Sequence, residues 1–299
     1  MFSIVQTRKL WYTLSAALFV LSVIAVFTWG LKPGIDFTGG SLVEIKFAGE
    51  RPASDAVIKA LAAKEIEVAQ IQPVGGDAMI IRTKFISEPK HQEMLSALKE
   101  ASKGAITENR FETIGPTISS ELKRRAFGAV AMVLAGIILY ITYAFRKVSA
   151  PVQSWKYGVV AVAALFHDVG IPVGIFAVLG KFLGYEVDVL FVTAVLTVLG
   201  FSVHDTIVTF DRIRENLMLN QRATFSETVD TSIKQTVTRS INTSLTVLLV
   251  LLAIYFFGGS STQHFTLVLI LGVIFGTYSS IFIASPLLVT WQEAVSKNK

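Results

Sequence analysis

The chain alternates between two regimes of hydrophobic patterning. Six nearly unbroken apolar runs occupy residues 10–31, 126–145, 157–179, 189–210, 241–257 and 265–289. Each approaches or exceeds the roughly 20 residues that a helix needs to cross a bilayer. Between the first and second runs, residues 32–125 mix polar and apolar positions as a water-soluble domain does. Residues 41–47 alternate with the period of a strand, and residues 53–63 carry helical apolar spacing after Pro52. Residues 67–72 and 78–83 predict two strands joined at Gly75-Gly76-Asp77, a hairpin signal; a helix over 89–102 and a strand over 106–114 follow. The order βαββαβ predicts a ferredoxin-like sandwich with its helices on one sheet face. The expected architecture is therefore a polytopic α-helical membrane protein with six transmembrane helices and one exported α+β ferredoxin-like domain between helices 1 and 2. Its segments are 1–31, 32–125 and 126–299. The first run is too long for a signal-peptide core and no clear cleavage site follows, so it is kept as a helix.

Composition agrees with a membrane protein: 52% of the 299 residues are hydrophobic and 16% charged, unlike a soluble domain of this length. Basic residues collect on one set of short flanks. Arg8 and Lys9 precede the first run; Arg146, Lys147 and Lys156 separate the second from the third; Arg212, Arg214, Arg222, Lys234 and Arg239 separate the fourth from the fifth; Lys297 and Lys299 close the tail. The two short loops on the opposite side hold Lys181. The positive-inside rule then places both termini in the cytoplasm and residues 32–125 outside. This topology accounts for the net charge of +5, so no nucleic-acid partner is inferred. The absence of cysteine excludes disulfides, thiolate metal sites and thiol catalysis.

The residues that carry chemistry lie inside the apolar runs. Asp205, beside His204, stands near one end of the fourth run, where a carboxylate costs several kcal/mol and usually faces a bundle interior or a wet cavity. Ser202, Asp205, Thr209 and Arg212 fall at spacings of three and four and form one polar stripe. Asp205 is thus a candidate for an ion or proton pathway, the alternative being a residue that fixes helix packing. His204 could relay protons or hydrogen-bond the surroundings of Asp205. Asp168, next to His167 in the third run, is open to the same two readings, functional or a structural bond to a neighbouring helix. Arg239, leading into the fifth run, can reach the level of Asp205, with Thr236 and Thr243 on its face; it could equally be a basic interfacial anchor. In the sixth run Gly272, Gly276, Ser280 and Ala284 recur every four residues, a small-residue stripe for close helix packing.

The soluble segment offers no catalytic constellation. His91 opens a charged helix and reads as a solvated surface residue, and no set of residues is spaced to hold a metal. Gly34-Ile35-Asp36-Phe37-Thr38-Gly39-Gly40 permits positive backbone angles, and Asp36 and Thr38 can bond local amides. A phosphate cradle is disfavoured because no lysine and hydroxyl pair follows, so the segment reads as a rigid connector from membrane to domain.

Four strings together resemble the SecF family of membrane subunits of the bacterial SecD–SecF protein-export complex. They are GIDFTGG at Gly34–Gly40, IGPTISSEL at residues 114–122, LFHDVG at residues 165–170 and GFSVHDTIVTFDRIREN at residues 200–216. The resemblance spans the chain and includes the FGG string at residues 257–259. Two positions depart from the usual pattern: His204 stands where asparagine is common, and Ile118-Ser119 where a glycine is common. The resemblance implies a subunit that uses the proton gradient together with SecD to promote polypeptide export, built like exporters of the resistance-nodulation-division (RND) superfamily. It implies SecD, the SecYEG translocon, YajC, YidC, the translocating polypeptide and membrane lipids as partners, with no cofactor and no covalent chemistry. By the same resemblance Asp205 matches the family's proton-passage carboxylate and Arg239 the arginine that works with it. The alternative function is an RND-type proton-coupled exporter of small molecules or lipids. An intramembrane aspartyl protease is a third class, since Asp168 and Asp205 are both available, but neither lies in a protease-like context.

Overall fold

A computed structural model describes residues 3–102, 104–145, 152–219 and 222–297. Arg146, Lys147 and Lys299 of the charge pattern lie outside these residues. The chain forms two compact units, Pro33–Phe127 on one hand and Met1–Lys32 with Gly128–Lys299 on the other.

The smaller unit is a four-stranded antiparallel sheet in the order β2-β3-β1-β4. Its strands are β1 (Gly40–Phe47), β2 (Val68–Val74), β3 (Ala78–Thr83) and β4 (Ile106–Ile114), and its helices are α2 (Ile35–Thr38), α3 (Ser54–Ala62) and α4 (Glu88–Ser102). This is the ferredoxin-like order that the βαββαβ pattern predicts. Pro73 sits in β2, an edge strand, where the missing amide breaks no central ladder. Val43, Ile45, Met79 and Ile81 from the central strands meet Val57, Leu61, Met94 and Leu98 from the helices in one core.

The segment before β1 differs from a plain connector. Residues 35–38 close one helical turn, and Thr38 Oγ1 donates to the carbonyls of Gly34 (3.0 Å) and Gly39 (3.1 Å), so it bonds carbonyls and not the expected amides. Gly39 and Gly40 have φ of 72° and 122°, which side chains rarely adopt. A Cβ on Gly40 would lie 2.6 Å from the Thr83 carbonyl oxygen, and one on Gly39 would lie 3.3 Å from Ser119 Oγ.

His91 corrects the surface reading. It is 4% exposed and stacks on Phe111 of β4 at 3.7 Å, with Nδ1 3.4 Å from Glu88 and Nε2 3.3 Å from Glu108. The charged periodicity of α4 could not reveal this, because the aromatic lid comes from a strand fifteen or more residues away along the chain.

Among the described residues six helices are long and apolar enough to cross a membrane. They are α1 (Arg8–Trp29), α5 (Pro116–Ala144), α6 (Ser154–Leu183), α7 (Val189–Leu219), α8 (Phe225–Phe257) and a last one made of α9 (Ser260–Ser279), a π segment (Ser280–Ala284) and α10 (Ser285–Lys297). The helices outrun their apolar cores. Helix α5 begins at Pro116, ten residues before the expected boundary, with proline at the first helical position where its missing amide costs nothing. Helix α8 begins sixteen residues before the apolar run, behind a capping box in which Thr224 and Glu227 bond each other's backbone amides. Helix α7 continues through DRIREN, where Arg212 bonds Gln235 and Glu215 while Asn216 bonds Ser232 and Gln235, fastening α7 to α8.

Close packing depends on glycine. A Cβ on Gly174 of α6 would lie 2.2 Å from Ser22 Cβ of α1, and one on Gly170 2.5 Å from the Phe19 ring. On α9, Gly272 and Gly276 seat Val198 and Ser202 of α7, with hypothetical Cβ contacts of 2.0 and 3.0 Å. Helix α6 therefore lies close against α1, and α9 close enough to α7 for short side chains to bond across the seam.

Candidate functional site

Two carboxylates lie in this close-packed region, each held by serines from two other elements. Asp168 of α6 is 0% exposed. Its Oδ2 accepts from Ser202 Oγ of α7 at 2.5 Å and from Ser279 Oγ of α9 at 2.6 Å. Its Oδ1 lies 2.9 Å from His167 Nδ1. Asp205 of α7 is partly exposed. Its Oδ1 accepts from Ser240 Oγ of α8 at 2.5 Å, and its Oδ2 from Ser280 Oγ at 2.8 Å.

The two clusters meet at Ser279-Ser280. In a regular α-helix consecutive side chains diverge by about 100°, which lets one residue face α6 and the next face α7. The π segment starts at Ser280, and π insertions occur frequently at functional sites. Each of these hydroxyls has a second acceptor in its own helix: Gly276 O at 3.2 Å for Ser279 and Thr277 O at 3.0 Å for Ser280. A serine hydroxyl carries one proton and can also accept, so it can donate to a carboxylate, or turn to the backbone and accept from a carboxylic acid. Both protonation states of each aspartate find a partner without a new side chain.

Several expected placements change. The stripe Ser202, Asp205, Thr209 and Arg212 does not act as one site: Ser202 serves Asp168, and Arg212 serves the α7–α8 contact. His204 is exposed and makes no hydrogen bond or ion pair among the described residues, so it does not bond the surroundings of Asp205 as expected. Arg239 is likewise exposed and forms no ion pair with Asp205; the next residue, Ser240, makes that contact instead. One step along a helix turns a side chain by about 100°, and that step separates the two. Gly272 and Gly276 pack on α7, while Ser280 adds a hydrogen bond to its place in the stripe.

Ser240 and Ser279 are the residues that inspection of single runs misses, while Ser202 and Ser280 show there only as members of a stripe. A signal exists: Thr228, Ser232, Thr236, Ser240 and Ser244 recur every four residues on α8 and all are buried. Along this hydroxyl ridge Ser232 and Ser240 bond Asn216 and Asp205 of α7, and Ser244 Oγ meets Thr277 Oγ1 of α9 at 2.5 Å.

Comparison with known proteins decides the family. Residues 93–294 match the protein export membrane protein SecD/SecF, C-terminal family, and residues 24–49 match the SecD/SecF GG motif. The protein translocase subunit SecF of Thermobaculum terrenum is 43% identical over 98% of this chain and 94% of its own length. The chain belongs to the SecF family. Another SecF, from Anaerolinea thermophila, is 39% identical over 100% of this chain and 96% of its own length. The crystal structure of SecDF, a translocon-associated membrane protein from Thermus thermophilus, superposes with a TM-score of 0.82 at 33% identity, covering 98% of this chain. This chain spans 39% of that longer protein. As a SecF it is a multi-pass membrane protein of the Sec protein-export family, with six membrane-crossing helices and an α+β domain.

Proposed function

We propose that this chain pairs with a SecD partner and uses the proton gradient to promote polypeptide export through the SecYEG translocon, with Asp205 taking up and releasing the proton. The basic flanks support a cytoplasmic placement of both termini in the cell's inner membrane, which puts residues 32–125 outside. YajC and YidC are further candidate partners, and the gradient serves as the energy source with no cofactor and no covalent chemistry.

One observation carries this reading: Asp205 is held by neutral hydroxyls from α8 and the π segment and by no cation among the described residues. A carboxylate locked to arginine or lysine stays ionised, whereas one held by hydroxyls can be either acid or base. Its partial exposure gives the proton a route to water. Arg239 supplies the second arrangement. Rotating α8 by about one residue, some 100°, exchanges Ser240 for Arg239 in front of Asp205. Arginine attracts the carboxylate and not the acid, so protonation favours the arrangement seen here and ionisation the other.

Export of a reporter into membrane vesicles, with and without an uncoupler, tests this. Asp205→Asn should abolish the gradient-dependent part of export while leaving the remainder. Vesicles with Asp205→Asn that export at the normal rate and remain fully uncoupler-sensitive would reduce Asp205 to a packing residue.

A further inference from the structure

We propose that His167 and Asp168 form a second proton-holding site, in which the pair carries one proton between them and is linked to Asp205 through Ser279 and Ser280. The inference deepens the coupling role of Asp205 and rests on that reading for the linkage.

Charge favours a shared proton at this depth. Asp168 is 0% exposed and His167 7%. Among the described residues the imidazole is the one ionisable group that bonds this carboxylate; its other partners are two serine hydroxyls. A lone carboxylate at such depth costs several kcal/mol, while a pair that has taken up one proton is neutral overall. The groups facing the pair do not supply compensating charge. Tyr278 of α9 stacks on His167 at 6.2 Å and bonds Ser15 of α1 through its hydroxyl. Helix α1 presents Phe19 and Ser22 to α6 and carries no charged residue between Leu10 and Trp29. From α7 come Ser202 and, through Ser280, Asp205 itself. In the last helix Glu293 is paired with Arg8, and Lys156 of α6 stands over Trp291.

Hydrogen bonding places that proton. Oδ2 of Asp168 accepts two hydroxyls, so any shared proton lies on the Oδ1···Nδ1 side, across the 2.9 Å contact with His167. Nε2 of His167 is buried and has no hydrogen-bond partner among the described residues. A histidine placed to orient a carboxylate usually has its far nitrogen satisfied, because a stranded buried nitrogen is costly. Here the far nitrogen is left open beside Phe275 and Tyr278, which suits a ring that passes a proton on.

Two adjoining serines link the acids. Ser279 and Ser280 are covalent neighbours, one bonded to each acid, and each has a backbone carbonyl as its alternative acceptor. When one acid gains a proton, its serine is free to turn to the helix, and the π segment passes that change to the adjoining serine.

Ring nitrogen NMR of the full chain labelled with 15N-histidine, in lipid nanodiscs, reads the site directly. His167→Gln assigns the resonance. His167 should show the proton shared with Asp168 and release it in one step along a pH titration. Asp168→Asn should lose the shared-proton signal. Asp205→Asn should move the release step along the pH axis, and Ser279→Ala with Ser280→Ala should remove that dependence. A His167 that stays in one neutral form throughout, beside an ionised Asp168 in carboxylate infrared difference spectra, overturns the proposal. The wild-type titration alone decides this if Asp168→Asn does not fold. Failure of the Asp205 reading would appear in the vesicle assay while the His167 titration stood unchanged, so the two failures separate.

Discussion

Gly272 sets the distance between α7 and α9, and with it the geometry of both acids. A Cβ at this position would lie 2.0, 2.6 and 2.8 Å from Val198 Cγ2, Cγ1 and Cβ. Unstrained carbon contacts are about 3.5–4 Å. A new rotamer of Val198 cannot relieve the clash, because its Cβ is already too near, so Gly272→Ala must push the helices apart by about 1 Å or more. Overpacking of this kind costs about 1–3 kcal/mol. A displacement of that size also stretches the 2.8 Å bond from Ser280 to Asp205 beyond useful range, which adds about 0.5–1.5 kcal/mol for a bond between neutral groups. The expected loss is therefore about 1.5–4.5 kcal/mol, measured by reversible unfolding of the purified chain in mixed micelles. Gly200→Ala is the matched control: nothing lies within 4 Å of its added Cβ, and it should be neutral or stabilising by up to about 1 kcal/mol. Adding Val198→Ala to Gly272→Ala removes the two nearest carbons and leaves the 2.8 Å contact, so it should restore part of the loss. If Gly272→Ala matched Gly200→Ala in stability, the argument that this glycine positions the acids would be wrong.

Three further outcomes follow from the same geometry. Gly40→Ala combines a φ of 122° with a 2.6 Å approach to Thr83 O and should cost about 1–3 kcal/mol, against no change for Gly49→Ala, by protease resistance of the α+β domain in the full chain. His91→Ala removes a ring stacked at 3.7 Å on Phe111 and should cost about 2 kcal/mol in the same assay, with most of the loss retained in His91→Gln if stacking dominates. Arg239→Ala should leave stability within about 0.5 kcal/mol, since the side chain is exposed and unpaired among the described residues, yet abolish uncoupler-sensitive export; Arg239→Lys should retain more of it.

How far the chain could be read without its tertiary structure depends on the range of each interaction. The six membrane helices and the βαββαβ domain follow from local periodicity and from the backbone's need for internal hydrogen bonds in lipid. The sheet order follows from connection rules that a short chain of this pattern leaves little freedom to evade. Asp168 and Asp205 stand out because a charge in an apolar run is costly wherever the helix packs. Ser202 and Ser280 stand out only as members of a stripe, and Ser240 and Ser279 not at all, because a serine's partner is set only when a neighbouring helix brings it within 3 Å of a carboxylate. Helix rotation decides such contacts, and one residue is worth about 100°. That is why Ser240 and not Arg239 meets Asp205, why Ser279 and Ser280 reach different acids, and why His204 faces outward beside an acid that faces in. His91 obeys the same logic in the soluble unit, where Phe111 from β4 covers a side chain that its own helix would have left in water. Local sequence determines which segments form and which residues are expensive; only the packed arrangement, through rotations and distances of a few ångströms, determines which of them are joined.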